Sequence, residues 1–339
     1  MRTDPLPPQI LSELRARGVL PEGPAEVAAL TGGVSSDIFL VTAAGQSVVV
    51  KRALGKLRVK DDWFADVSRN RMEQSWFRHA ARVTTAVPKV LFASPDTGWF
   101  AMEYLGEGWR PWKAALMDGE FDRAIAHEAG RILGLLHASS WGDRALEAEF
   151  DTLKSFTELR IAPYLLTAAD RVPAVGPQLR DLAAGLSGAR TALVHGDYSP
   201  KNLMVKGRVL VVLDAEVAWY GDPAFDVAFL INHLLLKALH HAPGPLPDAA
   251  LGLADEALSA YGAQLGPRFD GEFEARLVRL VLGLMLARVH GKSPVEYLDD
   301  RKRTLVTDFV LRLLPSPPQT IRQLGNEWLP QLHRHSKAP

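Results

Sequence analysis

Three side chains that carry hard oxygen ligands occur within residues 193–216, LVHGDYSPKNLMVKGRVLVVLDAE. Asn202 follows Asp197 by five positions, and Asp214 follows Asn202 by twelve. Such oxygens suit Mg²⁺ and phosphate better than zinc or copper, which prefer nitrogen and sulfur. Asp197 can accept a hydroxyl proton, while Asn202 and Asp214 can hold metal ions that bridge nucleotide phosphates. The spacing therefore predicts phosphoryl-transfer chemistry.

The tripeptide His-Gly-Asp alone is equally typical of a polar turn held by its own side-chain hydrogen bonds. The pattern HGDxxxxN, followed by an apolar strand that ends in aspartate, favours the catalytic interpretation. His195 is then expected to bond nearby backbone. Asp222 and Asp226, in WYGDPAFDVA, are expected to cap a helix and tie the catalytic loop in place. His137 lies on the apolar face of a predicted helix, which indicates a satisfied core histidine.

Residues upstream offer partners for a nucleotide. Gly33, Ser35 and Ser36, in GGVSSD, can fold over phosphates through backbone N–H groups and hydroxyls. Lys51 comes eighteen residues after Gly33, where a strand–turn–strand would bring it under the glycine turn, and Glu73 is placed to pair with it. A Gly-Gly turn alone is more often a hairpin, and a lone Lys–Glu pair is usually solvated. Neither GxGxxG nor GxxxxGK[ST] occurs.

Hydrophobic periodicity predicts a strand-rich first part and a helical second part. Before Gly106 it indicates a small sheet, with a short helix at 10–18 and a longer one at 66–82. The sheet strands are predicted in residues 31–50 and 87–104. The later segments predicted as helices are 121–138, 152–170, 178–187, 224–239, 249–263, 272–289 and 300–313, and short strands are predicted within 192–214. We expect an α+β protein with a β-rich lobe at 1–103 and a helical lobe at 104–339.

The composition excludes several classes of protein. The 339 residues include 39 basic and 39 acidic side chains, so no net field would gather nucleic acid or an anionic membrane. The lack of cysteine excludes disulfides, thiolate zinc sites, iron–sulfur clusters and cysteine nucleophiles. The start of the chain has no apolar run typical of an export signal, and the most apolar helical segments carry charges. These features predict a cytoplasmic protein, monomer or homodimer, without nucleic-acid or membrane partners.

The order of these motifs resembles the aminoglycoside phosphotransferase-like family of small-molecule kinases, which includes methylthioribose, choline and homoserine kinases. The resemblance covers roughly residues 25–300 and rests on the glycine turn, Lys51, Glu73, MEYL, HGDYSPKN and VLDAE. KRALGKLRV, DDW and DAE are closest to the methylthioribose kinase branch. The chain is shorter than such kinases, and its substrate-side motifs match poorly.

The resemblance implies a two-lobed protein-kinase-like fold that uses ATP and Mg²⁺. It implies that Asp197 is the catalytic base, that Asn202 and Asp214 are magnesium ligands, and that Lys51 binds phosphate. Residues 102–106 would form the hinge that hydrogen-bonds adenine, through Glu103 and Leu105.

The acceptor is expected to be a sugar or a sugar-like alcohol. Residues 240–339 hold 11 acidic and 12 basic side chains, so the surplus of carboxylates that a polycationic aminoglycoside would need is lacking. Arg288, His290 and Lys292 surround a glycine turn and can bind a neutral sugar or an anionic group, with Trp219 and Tyr220 as a wall. A helix C-terminus decorated with cations would give the same pattern.

Alternative functions stay open at this point. The sequence also fits an aminoglycoside or amino-alcohol kinase. A catalytically inactive nucleotide-binding regulatory module is a second alternative, although Asp197, Asn202 and Asp214 are all present. Transfer of AMP onto protein, with the same fold, is a third.

Overall fold

A computed structural model describes residues 5–30, 36–55, 69–94, 98–244 and 246–334. The chain forms two compact units, one of residues 1–109 with 213–217 and the other of 110–212 with 218–339. The first boundary lies six residues beyond the position expected from the sequence, and the sequence did not predict that 213–217 would join the first unit. The glycine turn at 31–35, the DDW segment within 56–68 and residues 95–97 lie outside the described residues.

The first unit is built on a five-stranded antiparallel sheet of order β1-β2-β3-β5-β4. Its strands are β1 Ala25–Ala29, β2 Ser36–Ala43, β3 Gln46–Ala53, β4 Val90–Ala93 and β5 Trp99–Glu103. Ala44 and Gly45 connect β2 and β3, and both have positive φ, 47° and 81°. A two-residue turn with positive φ at both positions has a backbone twist that matches the right-handed twist of the flanking strands. The predicted strand–turn–strand is confirmed.

Among the described residues of the first unit, one helix packs on each face of this sheet. The α1 helix, Pro8–Ala16, buries Ile10 and Leu14 against Val48 and Val50 of β3. Successive side chains of a strand alternate between faces, so Lys51 lies on the opposite face, beside its cross-strand partner Phe100. There the α2 helix, Arg69–Ala80, packs through Phe77 onto the Phe100 ring. The alternation in SVVVK thus assigns Lys51 to the α2 side.

The second unit is mainly helical. Its helices are α3 Trp112–Met117, α4 Arg123–Ser140, α5 Arg144–Glu149, α6 Leu153–Phe156, a π-helix Thr157–Leu166, α7 Thr167–Arg171, α8 Gly176–Gly188, α9 Ala224–His240, α10 Leu246–Leu265, α11 Gly271–His290, α12 Asp300–Leu313 and α13 Ile321–Arg334, with 3₁₀ turns at Pro173–Val175 and Gly266–Arg268. Its strands are β6 Arg110–Pro111, β7 Ala192–Val194, β8 Leu203–Lys206, β9 Val209–Val212 and β10 Trp219–Gly221. They pair as β6-β8-β9 and as β10-β7. The α+β prediction is confirmed.

The α9 helix runs through the core of the second unit, with nearly every side chain buried. The α4 and α10 helices pack against each other closely at Gly130, where an added Cβ would lie 1.9 Å from the Ala257 carbonyl oxygen. Only glycine permits this approach of the two backbones. In the part of the chain that the structure describes, no helix combines the length and apolarity needed to cross a membrane.

Candidate active site

Lys51 is a buried cation held by two carboxylates. Its Nζ lies 2.8 Å from Oε1 of Glu73, and both side chains are nearly inaccessible to solvent. Nζ also contacts Oδ1 of Asp214. Burial alone would lower the pKa of Lys51, but Asp214 and Glu73 raise it above its usual value, so the amine keeps its charge. Burial raises the pKa of Glu73 to about 8, against the opposing effect of Lys51. The predicted pairing of Lys51 with Glu73 is confirmed.

Asp214 lies in the short segment 213–217, which belongs to the first unit. Its φ is 67°, in the left-handed region that aspartate tolerates better than most residues. Two positions later, Glu216 accepts a hydrogen bond from Nε of the buried Arg69 at 3.1 Å. Arg69 begins α2, so this ion pair links the Asp-x-Glu segment to the helix that carries Glu73. Arg69 is not among the site residues predicted from the sequence.

The predicted phosphate loop is described only at its last residue. Gly33 and Ser35 lie outside the described residues. Ser36 begins β2 and is 1% exposed, and its Oγ makes no hydrogen bond within the described part of the chain. A buried hydroxyl without a partner is unfavourable, and a bound polar ligand would relieve that cost.

The predicted adenine hinge follows β5. The Glu103 N–H donates to the Lys89 carbonyl at 2.9 Å, which extends the sheet to the end of the strand. The Leu105 carbonyl accepts from the indole N–H of Trp109, also at 2.9 Å. Among the described residues the Leu105 N–H has no acceptor. This amide is therefore available to a ligand.

The loop after β7 is held by Asp226, in the first turn of α9. Its carboxylate accepts the N–H of His195 at 2.6 Å and the N–H of Gly196 at 2.9 Å. His195 in turn accepts the Asp197 N–H on Nδ1 at 3.1 Å, and Gly196 has a φ of 79°. The expectation that Asp226 ties this loop in place is confirmed. His195 has the predicted backbone-bonding role, since an accepting Nδ1 carries no proton.

Two neighbours of Asp226 also match their predicted structural roles. Asp222 caps α9 through the Ala224 N–H at 3.0 Å and pairs with Arg276 at 2.7 Å. His137 is fully buried, with Nδ1 3.1 Å from the Tyr261 hydroxyl and Nε2 3.3 Å from Oδ2 of Asp226.

Asp197 is a buried carboxylate that contacts two cations. Its Oδ2 lies 3.0 Å from Arg160 and 3.0 Å from Lys201. Arg160 also donates from Nε to the Gly196 carbonyl at 2.6 Å, so it binds the loop backbone together with the carboxylate. Asp197 is thus a buried carboxylate that faces two positively charged side chains.

Arg160 was not identified in the sequence analysis. It lies on the π-helix, a wide helical turn that is uncommon and often found near functional sites. Its sequence signal was present, because Arg160 interrupts the apolar face of TELRIAPYLL.

Asn202 is fixed by its own amide. Its Nδ2 donates to the Asp197 carbonyl at 3.0 Å, and its backbone N–H donates to the Ser199 carbonyl at 2.9 Å. With the NH₂ group engaged, Oδ1 is the atom that remains for a ligand. A neutral oxygen on a fixed side chain is a suitable ligand for a hard cation.

The structure contradicts the prediction that Trp219 and Tyr220 wall a substrate pocket. Each is 1% exposed. The Trp219 ring stacks on Phe156 at 4.1 Å between centroids, and the Tyr220 hydroxyl lies 3.0 Å from the carbonyl oxygens of Ser140 and Thr191. Both belong to β10, which pairs with β7, so they support the catalytic loop from the core.

The three cations predicted around the glycine turn separate in the structure. Arg288 donates from Nη1 to the Tyr164 hydroxyl at 3.2 Å and to the Ser293 Oγ at 3.0 Å. His290 lies instead beside α12, with Nε2 2.8 Å from the Thr307 hydroxyl. Lys292 is exposed. Among the contacts of the described residues, neither His290 nor Lys292 bonds Arg288 or Asp197, so the predicted cluster is reduced to Arg288.

Known proteins resemble this chain in sequence and in fold. A methylthioribose kinase from Escherichia coli O45:K1 (strain S88) is 29% identical over 277 residues, which cover 71% of this chain and 65% of that relative's length. An amicoumacin kinase solved in complex with AMP-PNP, Ca²⁺ and Ami superposes with a TM-score of 0.54 at 16% identity, over 93% of this chain and 96% of that chain. A choline kinase from Cryptosporidium parvum Iowa II superposes with a TM-score of 0.54 at 12% identity, over 95% of this chain and 98% of that chain.

The solved structures establish the protein-kinase-like fold. The family profile described as the phosphotransferase enzyme family (APH) matches residues 26–277, which is most of the chain. This match confirms the resemblance seen in the motifs around Lys51 and Asp197. On that ground, the chain belongs to the phosphotransferase enzyme family.

Proposed function

We propose that this protein transfers the γ-phosphate of ATP to a hydroxyl group of a small molecule, a sugar or a sugar-like alcohol. The observation that carries the proposal is the buried Asp197 carboxylate, which Arg160 and Lys201 contact at 3.0 Å on a loop held by Asp226. Phosphoryl transfer needs little more of a protein than positioning and charge stabilisation, plus a group that orients the attacking hydroxyl. Asp197 fills that last role by accepting the hydroxyl proton.

The nucleotide is assigned to residues of the first unit. Lys51 stays charged and supplies a cation to the phosphates, while Glu73 fixes its Nζ. The unused Leu105 N–H and the carbonyl of Glu103 are suited to the edge of an adenine ring. Ser36 Oγ, buried without a partner, is assigned to the phosphates together with Gly33 and Ser35. These unsatisfied groups fit a polar ligand better than a packing role.

Magnesium is assigned to Asn202 and Asp214. An amide oxygen and a carboxylate form a hard donor set that suits Mg²⁺ rather than a soft metal. When bound, the metal neutralises part of the charge on the phosphates. Asp214 contributes a formal charge, whereas Asn202 contributes only a dipole. Asp214 also contacts Lys51.

A sugar-like acceptor is favoured over a polycationic one. A protein 29% identical to this chain is a methylthioribose kinase. The second unit also buries Lys237 and half-buries Arg288, and positive side chains of this kind disfavour an ammonium-rich ligand. No observation in the described residues favours an aminoglycoside.

Acceptor-dependent ADP release from purified protein tests the proposal. The panel comprises sugars, thiosugars, polyols, amino alcohols and aminoglycosides, and mass spectrometry shows whether the product gained phosphate or AMP. Asp197→Asn should lower turnover roughly 10²- to 10⁴-fold, the usual contribution of a positioned general base, without loss of ATP binding. Asp170→Asn, in an exposed pair with Arg180, is the matched control and should leave turnover unchanged. Undiminished turnover in Asp197→Asn, or an AMP adduct, would refute the mechanism.

A further inference from the structure

Three side chains line one face of the α9 helix. Phe229, His233 and Lys237 are spaced four residues apart, which places them in a row along the helix. All three are buried, and the rings of Phe229 and His233 lie 5.2 Å apart. Lys237 is only 1% exposed, which is rare for a lysine without a counter-charge.

Lys237 has no carboxylate as a partner among the described residues. Its Nζ lies over the ring of Tyr297, 5.2 Å from the centroid. Glu296 is the acidic residue whose charge favours the protonated form of Lys237, but its carboxylate forms an ion pair with Lys113 instead. Burial, together with the positive charges of Lys113 and Arg288, lowers the pKa of Lys237 to about 7. The folded protein therefore holds an amine that is poised to gain a proton when a negative charge arrives.

Polar atoms around Lys237 are also unsatisfied. His233 Nδ1, Arg288 Nε and Tyr297 Oη are buried and make no hydrogen bond within the described part of the chain. His233 lies one turn before Lys237 on α9, and the Tyr297 ring lies under the Lys237 amine. The positive charge of Arg288 contributes to lowering the pKa of both His233 and Lys237. Buried polar atoms without a partner beside a buried amine are typical of a ligand site.

A chain of contacts connects this cluster to Asp197. Arg160 bonds the Asp197 carboxylate at 3.0 Å, and its guanidinium lies 5.8 Å from the Tyr164 ring and 5.9 Å from the Phe229 ring. The Tyr164 hydroxyl accepts a hydrogen bond from Arg288 at 3.2 Å. Although burial alone would raise it, the pKa of Tyr164 is lowered by Arg288 and Arg160. The region beside Asp197 therefore has a positive potential.

We propose that the acceptor carries an anionic oxygen group, a carboxylate or a phosphate, which Lys237 and Arg288 bind while its hydroxyl meets Asp197. His233 and Tyr297 supply further hydrogen bonds to the same group. This inference rests on the proposed kinase function and narrows its substrate class. A neutral sugar would bring no charge to favour protonation of Lys237 or to pair with Arg288, and an ammonium group would be repelled by Arg288.

Matched acceptors that differ only in charge test the inference. The panel compares ribose with ribonate and ribose 5-phosphate, and glucose with gluconate, glucose 6-phosphate and glucosamine. We expect an anionic member to exceed its neutral parent about 10- to 100-fold in kcat/KM, as for a hydrogen bond to a charged group. Whether the acid or the phosphate ester is preferred identifies the anion.

Variants assign the effect to the cluster. Lys237→Met and Arg288→Met should each raise the KM of the preferred anionic acceptor about 10-fold or more, with little change in the KM of ATP. Lys154→Met removes an exposed lysine and should change neither constant. Circular dichroism verifies that each variant is folded. Calorimetric titration with the same acceptor, without nucleotide, should show the same loss of affinity in both cluster variants.

The outcomes separate the inference from the function on which it rests. Equal kcat/KM for neutral and anionic acceptors, with acceptor KM unchanged in Lys237→Met and Arg288→Met, overturns the anionic subsite and leaves the kinase assignment standing. Binding of anionic acceptors that depends on Lys237, without ADP release from any compound, supports the subsite and overturns the kinase assignment.

Discussion

Two buried lysines of this protein have opposite electrostatic environments. Lys51 contacts the carboxylates of Glu73 and Asp214, which raise its pKa, whereas Lys237 has no acidic partner among the described residues. A paired lysine keeps its charge inside a protein, and an unpaired one is destabilised in its charged form. At the residue scale, Lys51 is therefore suited to permanent contact with phosphates. Lys237 is suited to pair with a negative charge that only a bound ligand supplies.

The unpaired state of Lys237 predicts a pH-dependent stability. Its folded pKa of about 7 lies below the ordinary value of 10.5, so the unfolded chain binds more protons between these pH values. The stability of the wild type should therefore rise with pH in this window, relative to Lys237→Met, by about 2 kcal/mol between pH 7 and pH 9. Urea unfolding of both proteins at several pH values measures this difference.

Lys154→Met provides the comparison for an exposed lysine. The difference in unfolding free energy between this variant and the wild type should stay constant over the same pH range. A pH-independent difference for Lys237→Met as well would show that Lys237 has an ordinary pKa in the folded protein. The groups that act on it are Lys113 and Arg288, opposed by Glu296.

At the scale of elements, the loop after β7, which carries the proposed base Asp197, depends on the first turn of α9. Asp226 accepts two consecutive N–H groups of the loop, from His195 and Gly196, and is completely buried. A buried carboxylate that accepts several backbone N–H groups fixes the path of the chain between them. Asp226 thereby positions Asp197 without touching a reacting atom.

Asp226→Asn should disturb that position, because an NH₂ group would face one of the two loop N–H groups. We expect a loss of about 1–3 kcal/mol in unfolding free energy and a reduction of kcat with little change in the KM of ATP. Asp222→Asn is the matched control in the same region, because Asp222 caps α9 but bonds no residue of the loop. Both constants are measured by ADP release. An Asp226→Asn protein that loses stability but keeps the wild-type kcat would limit Asp226 to a structural role.

At the scale of the whole molecule, the chain returns to its first unit for five residues. Residues 213–217 belong there, with Asp214 bonded to Lys51 and Glu216 to Arg69, although the preceding and following strands belong to the helical unit. Asn202 stays in the helical unit. Of the two proposed metal ligands, only Asp214 brings charge.

Removal of each proposed metal ligand should have a different consequence. Asp214→Ala should abolish magnesium-dependent ATP turnover, whereas Asn202→Ala should weaken it and raise the magnesium concentration required, because only the carboxylate neutralises metal charge. Each variant is titrated with magnesium at fixed ATP, and chelation of the metal should stop the wild type. A magnesium response in Asp214→Ala like that of the wild type would exclude this assignment of the metal ligand.

Features that depend on neighbours in sequence could be predicted. The β2–β3 hairpin follows from alternating apolar residues and an Ala-Gly turn, and the face on which Lys51 lies follows from the two-residue period of a strand. In these cases the chain has few alternatives, because backbone geometry restricts where adjacent side chains lie. The pairing of Lys51 with Glu73 and the anchoring role of Asp226 join residues more than 20 positions apart, so they were predicted from the order of the motifs and not from local geometry.

Other features depend on packing between distant segments. Arg160 meets Asp197 only because a π-helix and the loop after β7 come together, and Lys237 meets Tyr297 sixty positions later in the chain. Trp219 and Tyr220 have the composition of a substrate wall, yet the pairing of β10 with β7 buries them. The sequence by itself determined the motif residues and the most periodic helices and strands, because these follow from local periodicity and spacing, and the resemblance of the motifs indicated the family. Strand β1 and helix α13 were not predicted from the sequence. The tertiary structure decided which charges are buried without a partner, because that depends on what the other segments bring to the same place.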